Sequence, residues 1–140
     1  PSELELLQQD STLLESAVEE VIRYTGPVQA ISRIALEDLQ IRDKQIAKGE
    51  RISMNIGSAN RDPAQFSDPD RFDIQRNEGR HLGFGFGIHF CLGAALARME
   101  GQAVIGSVVR RFPELRLEEP GLEWRSHPVL RGLKTLPVTF

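Results

Sequence analysis

Apolar positions recur at helical spacing near the start of the chain. From Ser11 onward they repeat every three or four residues, at Leu13, Leu14, Ala17, Val18, Val21 and Ile22. This spacing predicts a helix that is capped by Ser11 or Thr12 and that ends at the Gly26-Pro27 pair. Pro1 would occupy the first turn of a shorter helix over PSELELLQQD. Because Pro1 is not an initiator methionine, we expect the chain to begin inside a longer protein or after processing.

The pattern changes to short alternations of apolar and polar residues between Val28 and Ile56. The three stretches VQAISRIAL, LQIRDKQI and RISMNIGSA are separated by the turn-forming segments Arg42-Asp43 and Lys48-Gly49-Glu50. This alternation predicts antiparallel strands. The next stretch, NRDPAQFSDPDRFDIQRNEG, combines prolines, aspartates before proline and two phenylalanines. We expect an irregular surface meander there, anchored by its aromatic side chains and with room for one helical turn.

A long apolar helix is predicted after Cys91. In LGAALARMEGQAVIGSVVRRF the apolar residues cover a broad surface and the second half is nearly uncharged, so we expect this helix to be mostly buried. The tail, LRLEEPGLEWRSHPVLRGLKTLPVTF, returns to short strands that break at Pro120-Gly121, Pro128 and Gly132. Residues 1–140 are therefore predicted to form one mainly helical α+β unit.

Composition narrows the class of protein. The chain has 140 residues, a formal charge of −3, 40% hydrophobic residues and 26% charged residues, which suits one packed soluble domain. A single cysteine excludes an internal disulfide and favours a reducing, cytoplasmic compartment. The longest apolar stretches fall far short of the ~20 residues that cross a bilayer, and no signal pattern opens the chain, so no membrane association is expected. Because Lys and Arg are not clustered, nucleic-acid binding is not expected either.

The only cysteine, Cys91, lies in the glycine-rich segment HLGFGFGIHFCLGAALARME. Glycines permit positive φ and a close approach of the backbone to a bulky group, and here they are Gly83, Gly85, Gly87 and Gly93. No Gly-Lys-Ser/Thr follows, and the dinucleotide spacing meets Ile88 or Phe90 where glycine is required, so nucleotide binding is not expected. Zinc is disfavoured because Cys91, His89 and His81 do not form a pattern of paired ligands. A buried cysteine that only fills space is the alternative to a ligand site.

The segment contains the pattern Phe84-x-x-Gly87-x-x-x-Cys91-x-Gly93. This pattern resembles, without insertion or deletion, the haem-binding signature of the cytochrome P450 monooxygenases. The resemblance implies that Cys91 is the axial thiolate ligand to the iron of haem b. Gly85 and the other glycines would let the turn approach the macrocycle. The helix start after Cys91 would favour the thiolate through its unpaired N–H groups and dipole. Phe84 would shield the sulfur from water, and hydrogen bonds to the sulfur would set its electron donation.

A second motif supports the resemblance. Glu20 and Arg23, in EEVIRY, lie on one face of the predicted helix and match the family's Glu-x-x-Arg motif. Solvated pairs with this spacing are common, so the motif carries weight only together with the cysteine segment. In the family this pair joins an arginine of the meander, and the matching residue is Arg71 in DPDRFD. The resemblance thus implies a buried structural triad in which every charge must be hydrogen bonded.

The resemblance extends over essentially the whole chain, from AVEEVIRY to RGLKTLPV, and corresponds to the C-terminal portion of the soluble bacterial members. It implies that Arg33, His81 and His89 bind the haem propionates, because two carboxylates on an apolar disc need cationic or donor partners. The segments Val28–Ile31 and Val129–Leu130 would reach over the haem toward a lipophilic substrate. Ordinary strand core is an equally good interpretation of their apolar residues.

The implied activity is a monooxygenase that inserts one atom of O2 into a small organic substrate, with electrons from an external ferredoxin- or flavodoxin-like donor. The family's long distal helix has no counterpart in this sequence, so we expect the chain to be the haem-proximal part of a larger enzyme. One alternative is a catalytically silent truncated chain that forms a homo-oligomer or binds another chain through its apolar surface. The other alternative is an open haem-binding sensor or carrier. A basic surface for an acidic redox partner would use Arg98, Arg110 and Arg111, although solvated helix charges are the favoured interpretation.

Overall fold

The computed structural model describes residues 2–118 and 121–140, so the predictions about Pro1 and Pro120 lie outside the described residues. Its α-helices are α1, Glu3–Gln9; α2, Leu14–Thr25; α3, Ile56–Ala59; and α4, Ala94–Arg111. Its strands are β1, Ala30–Ile34; β2, Leu39–Ile41; β3, Lys44–Ile46; β4, Arg51–Asn55; β5, Arg116–Leu117; and β6, Val138–Thr139. The mixture of helices and small sheets confirms the predicted fold class.

Helix α2 confirms the helical spacing predicted from Ser11 onward. A 3-10 turn over Ser11–Leu13 leads into the helix. The predicted cap, Ser11 or Thr12, is wrong: no side chain caps α2 itself, and Asp10 caps the 3-10 turn, where its carboxylate accepts from the Thr12 N–H at 2.9 Å and from the Thr12 hydroxyl at 2.6 Å. Gly26 ends the helix as predicted, where a Cβ would lie 2.4 Å from the carbonyl oxygen of Ile22.

The strands predicted between residues 28 and 56 are confirmed and pair antiparallel. β1 pairs with β4 along its whole length, and β2 and β3 form a hairpin closed by Arg42-Asp43. Arg42 has φ 54°, the left-handed conformation typical of such tight turns. The last strand ends earlier than predicted, because the Asn55 side chain accepts from the Ser58 N–H at 3.0 Å and starts α3.

Irregular structure follows α3, as predicted. The meander from residue 60 to residue 79 consists of turns and bends, with no regular helix or strand among its residues, all of which are described. Its aromatic anchor is Phe66, which is 3% exposed. In the tail, β5 pairs antiparallel with β6, and Trp124 pairs with Leu133 in an isolated bridge. The described part of the tail thus has the short strands that its pattern predicts.

The hydrophobic core lies where α1, α2 and the meander meet α4. Leu7, Ala17 and Ile74 form its buried centre, and Ile105 and Val109 of α4 pack against it. The core therefore lies on one side of α4.

Among the described residues, none of the helices combines the length and the hydropathy of a membrane-spanning segment.

Helix α4 is far less buried than its apolar composition predicts. Ala94 is its one buried residue, while Leu96, Met99 and Val104 are 58%, 66% and 61% exposed. The expectation of a mostly buried helix is wrong for this chain, because α1 and α2 cover only one side of α4. We call the side formed by Leu96, Met99 and Val104 the open face of α4.

Candidate functional site

The segment around Cys91 is a turn that leads into α4. The Cys91 N–H donates to the carbonyl oxygen of Phe84 at 2.9 Å, and the Cys91 carbonyl accepts from the Ala94 N–H at 3.2 Å. Gly93 is the residue before the first residue of α4, and no side chain caps the helix. Cys91 is a free, exposed thiol. The structure therefore places Cys91 near a helix start, held by its backbone, and within this chain its thiol is exposed rather than buried.

Glycine is required at different points of this turn for different reasons. Gly85 and Gly87 have φ of 73° and 68°, in the left-handed region that residues with a Cβ rarely adopt. Gly83 is needed for space instead, because a Cβ there would lie 2.4 Å from Cγ2 of Ile22 on α2. A Cβ on Gly87 would meet nothing within 4 Å. The start of the turn is thus pressed against α2, whereas its tip is open.

The tip of the turn presents apolar side chains to solvent. Ile88 and Leu92 are 99% and 102% exposed, and Phe86 is 69% exposed. Such side chains are ordinarily withdrawn from water, so an open cluster of them around a free thiol is typical of a surface that holds an apolar partner. Within the described residues, no group of three or more His, Cys, Asp or Glu side chains is placed to share a metal ion.

The Glu-x-x-Arg pair is buried and forms the predicted contact. Arg23 donates from Nε to Glu20 Oε2 at 2.7 Å and from Nη2 to Glu20 Oε1 at 2.8 Å, and both residues are 3% exposed. The arginine of the meander that joins them is Arg76, whose Nε lies 3.4 Å from Glu20 Oε1. Arg71 is exposed and contributes only its carbonyl oxygen, which accepts from Arg23 Nη2 at 3.1 Å. The assignment of Arg71 to the triad is therefore wrong, because Arg76 and not Arg71 pairs with the Glu20 carboxylate.

A second charged cluster links α2, the turn and α4. Arg98 donates from Nε to Glu19 Oε1 at 2.6 Å and from Nη2 to Glu19 Oε2 at 2.9 Å. His81 Nε2 lies 3.0 Å from Glu19 Oε2. These hydrogen bonds lower the pKa of Glu19, with Arg98 the largest cause. We call Glu19, His81 and Arg98 the Glu19 cluster.

The predicted propionate-binding role of His81 disagrees with the structure. Its Nδ1 accepts from the Gly83 N–H at 3.1 Å, so the ring proton lies on Nε2 and is directed to Glu19. Burial lowers the pKa of His81, more than the Glu19 carboxylate raises it, so the ring is neutral near pH 7. Both ring nitrogens are engaged within the chain, which leaves none for a carboxylate of another molecule.

The other two predicted propionate ligands are placed differently. The recorded hydrogen bond of the Arg33 guanidinium is to the adjacent Ser32 carbonyl at 2.9 Å, and Arg33 is half-buried on β1. His89 is exposed in the turn next to Cys91, and no hydrogen bond of its ring is found within the described residues. Both side chains therefore keep N–H groups that could donate to a propionate.

The two segments predicted to reach toward substrate lie side by side, although a hundred residues separate them. Val28 and Leu130 form an antiparallel bridge, and the Gln29 N–H donates to the Val129 carbonyl at 2.8 Å. Val129 and Leu130 are 38% and 48% exposed. These side chains are thus not ordinary strand core within this chain.

Several residues of the site carry no sequence signal that identifies them. Asn60 is 2% exposed, accepts from the Leu82 N–H at 2.7 Å and takes the Arg23 Nη1 hydrogen bond on its carbonyl at 2.8 Å. Arg76 lies in an aperiodic stretch, where spacing does not tell which arginine turns inward. For the pair of Glu19 and Arg98 the sequence gives one signal. Glu19 adjoins Glu20 on a helix, where neighbouring side chains point in different directions, so Glu19 must contact a different part of the chain.

Comparisons with known proteins agree with this geometry. The model of the family described as "Cytochrome P450" matches residues 6–126. The polyketide biosynthesis cytochrome P450 PksS of Bacillus subtilis is 46% identical over 99% of this chain and 35% of its own length. The cytochrome P450 monooxygenase PikC of Streptomyces venezuelae is 43% identical over 100% of this chain and 34% of its own length.

Solved structures give the same result. The crystal structure of P450BioI in complex with an acyl carrier protein ligated to hexadec-9Z-enoic acid superposes with a TM-score of 0.96 at 43% identity. That match covers 100% of this chain and 36% of the P450BioI chain. The chain thus spans about a third of the length of the relatives that it matches, and it corresponds to the C-terminal portion of their fold.

Proposed function

Because this chain belongs to the cytochrome P450 family, we propose that the protein of which it forms the C-terminal portion is a haem-thiolate monooxygenase in which the Cys91 thiolate would hold the haem iron. The observation that carries the proposal is the free, exposed Cys91 thiol at the end of a glycine turn fixed to the Phe84 carbonyl. A soft thiolate ligand fits a haem iron site that favours O–O bond cleavage.

Haem b is the cofactor of this family, and the residues present fit it. The donor set is one cysteine among glycines and apolar side chains, which suits a large apolar disc and not a hydrated metal ion. Gly87 leaves room for a flat group, because a Cβ at this position would point into open space. Gly85 and Gly93 would belong to the same cofactor-binding turn, and Gly85 is required there by its φ of 73°.

Bound haem supplies the redox chemistry that inserts one atom of O2 into an organic substrate. The residues of this chain hold and orient it. The Arg33 guanidinium and the His89 ring would donate to the propionates, and the Cys91 sulfur would hold the iron. Phe84 would limit the access of water to that sulfur, and its carbonyl oxygen already fixes the Cys91 backbone by accepting the Cys91 N–H at 2.9 Å. Such control of water and hydrogen bonds sets the electron donation of a ligand.

The substrate is a small lipophilic molecule that contacts the paired segments Val28–Ile31 and Val129–Leu130. Their apolar side chains are partly exposed and adjacent in space, which supports a shared wall of a substrate pocket. Electrons come from an external donor of the ferredoxin or flavodoxin type. Arg98 is not available to dock that donor, because Glu19 holds its guanidinium, whereas Arg110 and Arg111 are exposed at the end of α4.

The test is the ferrous–CO absorbance spectrum of the full-length protein, compared with that of Cys91→Ala. Thiolate ligation gives a strongly red-shifted band, which the variant should lose. Leu92→Ala is the matched control, because it shortens a fully exposed neighbour and keeps the thiol, so it should retain the band. Identical spectra for the wild type and Cys91→Ala would show that another atom binds the iron.

A further inference from the structure

The Glu19 carboxylate holds two parts of the chain that lie on opposite sides of Cys91 in sequence. Arg98 belongs to α4, after Cys91, and forms a two-pronged hydrogen bond with Glu19 at 2.6 and 2.9 Å. His81 comes before Cys91 and reaches the same carboxylate at 3.0 Å. Side chains at i and i+1 of a helix point about 100° apart, so Glu19 faces the turn and α4 while Glu20 faces the meander. One side chain of α2 therefore joins both flanks of the cysteine turn.

His81 connects Glu19 to the backbone of the cysteine turn. His81 Nδ1 accepts from the Gly83 N–H at 3.1 Å, and this requires the proton to stay on Nε2, where Glu19 accepts it. Gly83 in turn has no spare room, since a Cβ there would lie 2.4 Å from Ile22 Cγ2. By fixing the tautomer of His81, Glu19 thus fixes the position of Gly83, where the turn packs against α2.

Arg98 connects Glu19 to the Phe84 ring. The Arg98 guanidinium carbon lies 4.6 Å from the centroid of the Phe84 ring, within the range of a cation–π interaction. The His81 ring lies 5.9 Å from the same centroid. Phe84 is therefore held by both partners of Glu19, and its carbonyl oxygen accepts the Cys91 N–H at 2.9 Å.

We propose that Glu19 is a positioning residue for Cys91: through His81 and Arg98 it fixes Phe84 and the Cys91 backbone, and it thereby sets how strongly the sulfur donates to a bound iron. This inference rests on the proposed function for its effect on the iron. The Cys91 hydrogen bond itself belongs to this chain and is measurable without haem. Glu19 touches neither the sulfur nor the haem site, so it is not a catalytic residue.

The first test measures hydrogen exchange in the haem-free full-length protein. Glu19→Gln removes the charge and Arg98→Lys keeps the charge but loses the planar fork. Both should speed exchange of the Cys91 and Gly83 amides several-fold, while amides in β1 and β4 keep their rates. Glu100→Gln is the matched control, since Glu100 is an exposed carboxylate of α4, forms no hydrogen bond within the described residues and carries the same charge as Glu19. Unchanged Cys91 and Gly83 exchange in both variants would overturn the inference.

The second test measures the reduction potential and the ferrous–CO band of the haem-loaded full-length protein. If the turn loosens, water reaches the sulfur and withdraws electron density, so the potential should move to more positive values and part of the band should shift to shorter wavelength. Folded, haem-loaded Glu19→Gln and Arg98→Lys with the wild-type potential and band would overturn the inference. A wild-type protein without a thiolate band would instead refute the proposed function, and the exchange result would still decide the role of Glu19 in the turn.

Discussion

At the scale of single residues, this chain buries charge only where each group is matched. Glu20 and Arg23 are 3% exposed, and Arg23 donates to the carbonyls of Asn60 and Pro69 besides its two bonds to Glu20. Among the described residues, no buried side-chain nitrogen or oxygen lacks a hydrogen-bond partner. A charge buried without partners costs several kcal/mol, so such a network tolerates the loss of a member poorly.

Arg76 and Arg71 give a direct test of how this network is built. Arg76→Ala removes a buried guanidinium that serves Glu20, Glu78 and the Ser67 carbonyl, so it should lower the free energy of unfolding by at least about 2 kcal/mol. Arg71→Ala leaves the carbonyl contact of Arg71 in place and should cost less than about 0.5 kcal/mol. Urea unfolding of both variants measures the difference, and equal losses would contradict the assignment of Arg76.

His81 makes stability depend on pH in a defined direction. Burial holds the pKa of folded His81 below its ordinary value of about 6.5, so the unfolded chain takes up a proton first as the pH falls. The unfolded state then binds more protons, and stability drops as the pH falls below about 6.5, until the folded ring also protonates. The lowered pKa of Glu19 adds a further loss in the same direction at more acidic pH.

Replacement of His81 isolates this effect. His81→Asn keeps an acceptor for the Gly83 N–H and has no proton to gain, so the pH slope between about pH 6.5 and pH 5 should become flatter. His89→Asn removes an exposed histidine of the same turn and should keep the slope. Urea unfolding across this pH range measures both. An unaltered slope in His81→Asn would show that another group titrates.

At the scale of elements, periodic segments are readable from sequence and aperiodic ones are not. The spacing in α2 and the alternation in β1 and β4 reflect which side chains must leave water, so both could be predicted. Glu20 and Arg23 could be paired for the same reason, because a helix fixes their separation. The meander has no period, and therefore the sequence did not distinguish Arg76 from Arg71.

The contact between α2 and α4 shows a second limit. Gly101 and Gly106 of α4 face α2, where a Cβ would lie 3.1 Å from Val18 Cγ1 and 2.9 Å from Leu14 Cδ2. Glycines usually weaken a helix interior, but here they allow α4 to approach α2 closely. A composition rich in apolar residues predicted that α4 is covered, yet composition does not say which elements supply the cover. Only the arrangement of α1 and α2 on one side reveals the open face.

At the scale of the whole molecule, the chain exposes many large apolar side chains to solvent. Large apolar side chains are exposed both on the open face of α4 and in the cysteine turn, where they are Phe86, Ile88 and Leu92. The relatives are about three times longer than this chain, which covers 35% of PksS. We therefore expect the remainder of the protein and haem to cover these side chains.

When the 140-residue chain is produced alone, this surface should drive self-association. Removing apolar area from water contributes roughly 25 cal/mol per Å², so two copies gain by burying the open face of α4. Sedimentation velocity over a concentration series should show a growing fraction of dimer or larger species. The double variant Leu96→Gln, Met99→Gln should reduce that fraction, because it removes apolar side chains from the open face. Leu117→Gln, on β5, changes a leucine that is 49% exposed and lies outside that face, and it should leave association unchanged. A chain that stays monomeric at every concentration would show that the open face of α4 is stable in water. It would also remove this reason to expect that the rest of the protein covers that face.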